Sequence, residues 1–213
     1  GLSTVIFNKK IGEFTLVEWA IKCGLTLFSK EQIVLVTDSN KTKLSGKSFG
    51  VNILDRPPTI SGSKSSTESV LNYVYDYFPS QNYVLLQPTS PFRYKSDLKL
   101  CLETYEKSNL KTIIGVSLPW NTAKDLFIKK KEDGKILELQ PLDNSEVRDE
   151  IYFDTGAIYV FSSEIIKNNR KIIGENNTLA VKINQMSVVD IDYDFQLELA
   201  ENYFAVNDWD FNK

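Results

Sequence analysis

Short apolar runs of strand length alternate with amphipathic stretches of helical length along most of this chain. This alternation is the feature that most limits its fold. Strands separated by helices of such length pair in parallel through right-handed crossovers. The sequence therefore predicts an α/β sandwich with a mainly parallel sheet. Its first half contains strand patterns at 32–38, 51–55 and 83–87 and helix patterns at 15–29 and 66–78.

The second half of the chain continues this pattern after one interruption. A helix from about 96 to 107 precedes a strand at 111–118, and a final helix runs from about 193 to 204. Further strand patterns lie at 151–161 and 187–192. A length of 213 residues suits one core, so we expect a single domain spanning 1–213.

Residues 119–150 form the interruption. Glu132-Asp133-Gly134 separates two strand-like runs, which is typical of a β-hairpin. The segment has few large apolar residues for a core of its own. We therefore expect an arm that protrudes from the domain and packs against something else.

The chain contains no histidine. This excludes a histidine general base, a Ser-His-Asp triad and a histidine-ligated zinc site. If the protein is an enzyme, its chemistry must use carboxylates, hard metal ions, hydroxyls and cationic side chains.

Charge and cysteine content narrow the possible partners and the compartment. A formal net charge of −3 argues against nucleic acid as a partner, and no apolar stretch approaches membrane-spanning length. Cys23 and Cys101 lie in helix-like segments without a CxxC motif or a secretory signal. These features favour reduced, buried thiols in a cytoplasmic protein that binds neither nucleic acid nor a membrane.

The stretch NYVLLQPTSPFR, residues 82–93, is an apolar strand that ends in a polar turn bracketed by prolines. In open α/β sheets, ligands bind at the carboxyl ends of strands. An amide, two hydroxyls and a guanidinium therefore stand where a ligand is expected. They belong to Gln87, Thr89, Ser90 and Arg93.

Asp190 and Asp192 are two residues apart on a segment predicted to be extended, so their carboxylates leave the same face. Two convergent carboxylates can bind a hard divalent cation. The alternative is that Asp192 caps the following helix and Asp190 is solvated.

Three other features also have a functional and a structural interpretation. Arg56 follows a strand and either contacts a base or phosphate or is an ordinary loop arginine. Gly156 either allows a close approach by a ligand or marks a bulge. A hydroxyl-rich loop either contacts a nucleotide or simply begins a helix; its members are Ser61, Ser63, Ser65, Ser66 and Thr67.

Taken together, these segments resemble the CMP-sialic acid synthetases, also called acylneuraminate cytidylyltransferases. The resemblance covers nearly the whole chain in order and spacing, and its most specific parts are QPTSP and DID…D…AE. It rests on LLQPTSPFR (85–93), TDSN (37–40), RPP (56–58), TGAIYVF (155–161) and VVDIDYDFQLELAE (188–201).

The resemblance implies a Rossmann-like three-layer nucleotidyltransferase fold. It also implies the transfer of CMP from CTP to a nine-carbon 2-keto sugar acid, with Mg²⁺ held by Asp190 and Asp192 as the catalytic and metal-binding residues. CTP would be bound by Ser3, Asn8, Lys9, Arg56, Ser65, Ser66 and Thr67. The sugar would be bound by Gln87, Thr89, Ser90, Tyr152, Phe153, Thr155 and Gly156.

The sequence departs from the family pattern at three places. Thr155 stands where the family has asparagine, and an Arg-Arg-Gln run of the arm is replaced by 144–146. Gly1-Leu2-Ser3 resembles the end of the family's phosphate loop, so we expect this chain to be catalytically impaired and an N-terminal extension to restore it. The alternatives are a nucleotidyltransferase for another sugar and a non-catalytic sugar-nucleotide-binding domain.

The resemblance assigns 119–150 to a dimerisation arm, and we predict a homodimer. The arm carries apolar side chains but no core of its own, so burying them requires a partner. Light scattering at micromolar concentration should give a mass near twice 24.3 kDa. A clean monomer would contradict this prediction. The apolar residues are Leu126, Phe127, Ile128, Ile136, Leu137 and Leu139.

Overall fold

The computed structural model of the protein describes residues 7–62, 65–118, 127–132, 135–141, 152–174, 177–207 and 209–212. The helices are α1 (Leu16–Leu25), α2 (Asn40–Phe49), α3 (Thr67–Tyr77), α4 (Lys95–Lys107), α5 (Ser163–Lys167) and α6 (Asp194–Val206). The first strands are β1 (Lys10–Ile11), β2 (Phe14–Thr15), β3 (Val34–Thr37), β4 (Asn52–Asp55) and β5 (Asn82–Leu85). The remaining strands are β6 (Thr112–Ser117), β7 (Phe127–Glu132), β8 (Lys135–Pro141), β9 (Phe153–Ser162) and β10 (Thr178–Lys182).

The predicted α/β architecture is confirmed, but the main sheet is mixed and not mainly parallel. Its four strands lie in the order β10-β6-β9-β5. β10 pairs parallel to β6, whereas β9 is antiparallel to both β6 and β5. The described residues between β6 and β9 form only the β7–β8 hairpin. Because antiparallel pairing needs no helical crossover, β9 can return against β6 directly.

β3 and β4 form a separate parallel pair. In the described ranges β3 pairs only with β4, and β5 only with β9. Helix α1 belongs to the cores of both groups of strands: Ile21 lies in a cluster against which Leu35 of β3 packs, while Cys23 shares a second cluster with Ile113 of β6. The two sheets therefore share α1 as a common covering layer.

The predicted strand at 187–192 is wrong. The chain forms a 3₁₀ turn at Gln185–Val188 and then runs on without strand pairing. The Ser187 hydroxyl donates to the Phe92 carbonyl at 2.9 Å, and the Ile191 N–H donates to the Thr89 carbonyl at 2.8 Å. These bonds tie the segment to the turn after β5 instead of to a strand. The last strand of the main sheet is β10, which the sequence analysis did not predict.

The arm contains the predicted hairpin. β7 and β8 are antiparallel, with Phe127 opposite Pro141 and Glu132 opposite Lys135. The turn at 133–134 and the rest of 119–150 lie outside the described residues. The dimerisation role of the arm therefore stays a prediction.

Helix starts follow the local sequence closely. Thr15 and Glu18 form a capping box on α1, with the Thr15 N–H donating to Glu18 Oε2 at 2.8 Å and the Glu18 N–H donating to Thr15 Oγ1 at 3.3 Å. Ser66 caps α3 by accepting the Ser69 N–H at 3.1 Å. No helix in the described part of the chain combines the length and apolar character needed to cross a bilayer.

Both cysteines are buried and unpaired, as predicted. Burial raises the pKa of Cys23 to about 11 and that of Cys101 to about 12. At neutral pH both thiols are therefore protonated, which makes them poor nucleophiles. They pack in the core between α1, α4 and the main sheet.

An aromatic cluster around Trp19 joins α1 to the C-terminal part of the chain. Trp19 is fully buried, and its indole Nε1–H donates to the Ile11 carbonyl at 3.1 Å. Its ring centroid lies 5.6 Å from those of Phe92 and Phe204 and 4.8 Å from that of Phe211. The cluster thus anchors both α6 and the turn that follows β5.

Replacing Trp19 by alanine should lower the free energy of unfolding by about 3–5 kcal/mol, because it removes a buried aromatic side chain from several ring contacts. Urea unfolding measures this change. The control is Leu44→Ala, whose side chain is 65% exposed and should change stability by less than about 0.5 kcal/mol. Equal effects of the two substitutions would contradict the proposed anchoring role.

Candidate active site

The turn after β5 brings together several of the residues that the sequence analysis predicts to bind the sugar. The Ser90 N–H donates to the Gln87 carbonyl at 3.2 Å, and the Ser90 hydroxyl donates to the Thr155 carbonyl of β9 at 3.1 Å. Thr89 and Ser90 are buried, and the Thr89 carbonyl accepts the Ile191 N–H. Hence the polar turn contacts both β9 and the segment that carries the two aspartates.

Gly156 lies where these parts meet. Its φ is +66°, and the β6–β9 register shifts between Ile114 and Val116, opposite it. A Cβ on Gly156 would lie 3.0 Å from Gln87 Oε1, 3.2 Å from Ser90 Oγ and 3.8 Å from Asp190 Oδ2. The bulge interpretation of this glycine is confirmed, and the bulge in β9 allows three polar side chains to converge on it. Its role in the approach of a ligand stays a prediction.

Asp190 is a half-buried carboxylate with an incomplete set of partners. Its Oδ1 atom is buried and has no hydrogen-bond partner in the described part of the chain. Burial raises the pKa of Asp190; a hydrogen bond from Thr89 opposes the rise, and the Asp192 carboxylate adds to it. An unsatisfied, buried carboxylate oxygen is costly unless a donor or a cation reaches it.

Asp192 does not cap the following helix. The Gln196 side chain takes that role, because its Oε1 atom accepts the N–H of Asp192 at 2.7 Å and that of Tyr193 at 2.8 Å. The Asp192 side chain is exposed, and its charge acts on Asp190. The capping alternative is therefore wrong, and the carboxylate remains available to a ligand.

The two aspartates fit a hard divalent cation such as Mg²⁺. They supply carboxylate oxygens, one of which is buried without a donor. No three acidic, histidine or cysteine side chains within the described ranges lie close enough to hold one ion together. A cation here would therefore rely on two protein carboxylates, as Mg²⁺ sites that also bind phosphate oxygens and water commonly do.

Arg93 does not face the open end of the turn. Its guanidinium is fully buried: Nε donates to the Ala157 carbonyl at 2.5 Å, and Nη2 donates to the Gln87 carbonyl. Nη1 has no partner among the described residues. Burial lowers the pKa of Arg93 to about 10, and the negative charge of Asp190 opposes the fall, so the side chain is a cation at neutral pH. Arg93 thus clamps the end of β5 to β9, a role that the sequence analysis did not assign.

The sequence analysis also did not identify Asp154 and Tyr159 as residues near the candidate site. The Tyr159 hydroxyl donates to Asp154 Oδ2 at 2.8 Å, and the Gly156 N–H donates to Asp154 Oδ1 at 3.2 Å. Burial, followed by the Asp154 charge, raises the pKa of Tyr159 well above its usual range. The sequence Asp-Thr-Gly at 154–156 could have indicated the bond between Asp154 and Gly156, because an aspartate two residues before a glycine is typical of an Asx turn.

Of the other residues predicted to bind the sugar, one is buried and two are exposed. Thr155 is buried; its hydroxyl donates to the Gly115 carbonyl at 2.8 Å and accepts the Ala157 N–H at 3.2 Å. That hydroxyl therefore stabilises the bulge. Tyr152 and Phe153 are exposed at the beginning of β9.

Most residues predicted to bind CTP lie in other segments. The Arg56 Nε–H donates to the Ile60 carbonyl at 2.7 Å and closes the loop after β4. Ser65, Ser66 and Thr67 form the start of α3, and Ser66 caps it. The hydrogen bonds of these residues do not join them to the group around Gly156.

The N-terminal residues of the predicted CTP site are only partly described. Asn8 accepts a hydrogen bond from the Thr42 hydroxyl at 3.4 Å. Lys9 is exposed, and its carbonyl accepts the Leu16 N–H at 3.0 Å. Ser3 lies outside the described residues.

Comparison with known proteins identifies the family. The family model described as cytidylyltransferase matches residues 8–206. The chain belongs to the cytidylyltransferase family. The resemblance drawn from QPTSP and the Asp190–Asp192 segment is thereby confirmed at the level of the family.

Two relatives of this cytidylyltransferase-family chain carry the name N-acylneuraminate cytidylyltransferase. The protein from Streptococcus agalactiae serotype V is 24% identical over 183 residues, covering 84% of this chain and 43% of that protein. The protein from Escherichia coli O18:K1:H7 is 26% identical over 189 residues, covering 87% and 45%. The chain spans less than half the length of these curated relatives.

Solved structures confirm the predicted nucleotidyltransferase fold. A CMP:2-keto-3-deoxy-manno-octonic acid synthetase complexed with CTP aligns with a TM-score of 0.68 at 12% identity, covering 96% of this chain and 93% of that one. The 4-diphosphocytidyl-2C-methyl-D-erythritol synthase of Anaerococcus prevotii aligns with a TM-score of 0.66 at 15% identity, covering 92% and 88%.

Replacing Gly156 by alanine should destabilise the protein by about 1–3 kcal/mol, since a side chain at positive φ is strained and would press on Gln87 and Ser90. Urea unfolding measures the loss. Gly62→Ala is the matched control, because no atom lies within 4 Å of the added Cβ. If both variants unfold alike, Gly156 is not required for the convergence described above.

Proposed function

We propose that this cytidylyltransferase transfers CMP from CTP to a nonulosonic, sialic-acid-like sugar. The anomeric hydroxyl oxygen of the sugar forms a bond to the α-phosphorus of CTP. The bond from that phosphorus to the bridging oxygen breaks, pyrophosphate leaves, and the hydroxyl proton passes to solvent. The observation that carries the proposal is the convergence of Gln87, Ser90 and Asp190 on Gly156.

The sugar would be held by the turn after β5. The Gln87 side-chain oxygen lies 3.0 Å from the position that a Cβ of Gly156 would take, so the glycine lets this amide approach the β9 backbone closely and present its remaining polar atoms to a ligand. A polyhydroxylated acid offers many donors and acceptors, and amide and hydroxyl side chains match them. The family resemblance favours a nine-carbon acid, since QPTSP stands where the eight-carbon (Kdo) transferases carry QGDEP-like residues. Tyr152 and Phe153 would supply exposed aromatic surface beside it.

The nucleotide would be bound by the loop after β4 and the start of α3. Arg56 uses Nε to fix its own loop, so its two terminal nitrogens remain for the cytosine, ribose or phosphate groups. Helix α3 has 11 residues, and its first N–H groups favour anionic or hydroxyl ligands. Ser65 and Thr67 flank this helix start, and Ser3, Asn8 and Lys9 would complete the site from the N-terminal side.

Asp190 and Asp192 would hold Mg²⁺. When bound, the ion would neutralise charge on the α-phosphate and lower the pKa of the attacking hydroxyl. Burial raises the pKa of Asp190, but the Thr89 hydroxyl and the Arg93 cation both act to lower it and so favour the ionised form. Gln196 holds the backbone at Asp192 and leaves its carboxylate free of the helix.

The decisive experiment is CMP-sugar formation with CTP, Mg²⁺ and a panel of 2-keto sugar acids that includes N-acetylneuraminate. Product with a nine-carbon acid would support the proposal. Product only with an eight-carbon acid would reassign the acceptor. Calorimetric binding of CTP or sugar without turnover would instead favour a non-catalytic nucleotide-binding domain.

Asp192→Asn should lower the turnover of CTP by at least about a hundredfold, because an amide is a poor ligand for a hard cation. Its melting temperature without nucleotide should stay unchanged, since Gln196 caps the helix. Steady-state assays across a magnesium titration measure the effect. The control is Glu198→Gln, which removes an exposed carboxylate of α6. Equal activity of the two variants would rule out the metal-binding role.

A further inference from the structure

Asp154 is an exposed carboxylate beside the proposed site that the reaction described above does not use. It lies on β9 at the edge of the bulge, and its charge and that of Asp190 act on each other. Each of its oxygens accepts one hydrogen bond, from the Gly156 N–H and from the Tyr159 hydroxyl. The side chain is thus oriented by two bonds on the side of β9 that bears the site.

The Asp154 carboxylate accepts fewer hydrogen bonds than it can. An ionised carboxylate has about four lone-pair positions, so Asp154 can accept about two further hydrogen bonds. No lysine or arginine pairs with it within the described ranges, where the three salt bridges join Lys43 to Asp55, Lys99 to Glu103 and Lys111 to Glu164. In addition to burial, the negative charge of Asp154 raises the pKa of Asp190 by repulsion, and N–H or O–H donors of a ligand would stabilise the Asp154 carboxylate.

A role as a third metal ligand is not supported. No three acidic side chains in the part of the chain that the structure describes lie close enough to bind one ion. Asp154 therefore stands beside the proposed cation site without belonging to it. Under the proposed function the nucleotide lies at the loop after β4 and the start of α3, and the acceptor sugar lies at the turn that carries Gln87, beside Gly156. The acceptor is therefore the ligand expected to reach Asp154.

We propose that Asp154 binds the acceptor directly, by accepting a hydrogen bond from a hydroxyl or amide N–H of the sugar acid, and that Tyr159 holds it in place. This inference rests on the proposed function. It also orients the substrate: the acceptor's own carboxylate is repelled by Asp154, so its hydroxyl- or amide-bearing end faces Asp154. A site built to pair with such a donor discriminates strongly against analogues that lack it.

A purely structural role for Asp154 would be closure of the bulge. Asp154→Asn separates the two roles, because the asparagine side-chain oxygen can still accept the Gly156 N–H. Its amide N–H can donate to the Tyr159 oxygen, so the bulge remains closed. The difference is that the substrate faces an amide N–H donor in the variant, whereas it faces a carboxylate acceptor in the wild type.

The test uses the full chain with CTP, Mg²⁺ and N-acetylneuraminate. For Asp154→Asn we expect KM for the sugar to rise by about tenfold to a hundredfold, the loss typical of a hydrogen bond to a charged group. KM for CTP, the half-saturating magnesium concentration and the melting temperature should stay unchanged. Asp76→Asn, which removes an exposed charge of α3, should match the wild type. Tyr159→Phe should raise KM for the sugar several-fold, because it frees the Asp154 side chain.

Three results would overturn the inference. An unchanged KM for the sugar means that Asp154 does not contact it. A parallel rise in KM for CTP or in the magnesium requirement means that Asp154 acts through the cation. A lowered melting temperature with a fall in kcat alone means that it only closes the bulge.

A wild-type chain without turnover, which the sequence analysis expects, bears on the proposed function and not on this inference. Calorimetry with N-acetylneuraminate then decides the role of Asp154 by itself. The inference requires the affinity to fall by about tenfold or more in Asp154→Asn. Equal affinities, or no binding to either protein, would overturn it.

Discussion

The candidate site depends on the hydrogen bonds that the buried guanidinium of Arg93 donates. The guanidinium donates to the Gln87 carbonyl in the turn after β5 and to the Ala157 carbonyl of β9. Burying a cation costs several kcal/mol, and here two carbonyl acceptors and the nearby Asp190 carboxylate offset that cost. Without Arg93, both carbonyls would lose a donor in the interior, and the turn and the strand would lose their common anchor.

The site is assembled from three segments that are far apart in sequence. Hydrogen bonds that each involve a backbone atom hold these segments together. The turn at 87–93 binds β9 through Arg93 and through the Ser90 hydroxyl. The aspartate segment binds the same turn through the Ile191 N–H and the Ser187 hydroxyl. Each of these bonds involves a backbone atom, so none of them uses the side chain of Gln87, Asp190 or Asp192.

Much of the fold follows from local pattern, and the exceptions have physical causes. The strands β3 to β6 and the helices α1, α3, α4 and α6 lie within a few residues of their predicted positions. β10 was not predicted because the apolar run in Thr178–Lys182 has only three residues, which is shorter than the run typical of a buried strand, and only Val181 is buried. The 187–192 segment has the apolar alternation of a strand, but its hydrogen bonds go to the turn after β5, which no local pattern indicates.

The sequence by itself determined the α/β class, the absence of histidine chemistry within this chain, a pair of carboxylates two residues apart and a polar turn after an apolar strand, because composition and spacing alone carry these features. It could not decide the roles of Arg93, Asp154 and Gln196, since each depends on which backbone groups come within hydrogen-bonding distance. Only the tertiary structure decided that Arg93 points inward, that Gln196 rather than Asp192 caps α6, and that Asp154 stands beside Gly156. The physical reason is that a hydrogen bond between distant segments is fixed by packing, which a local sequence pattern does not encode.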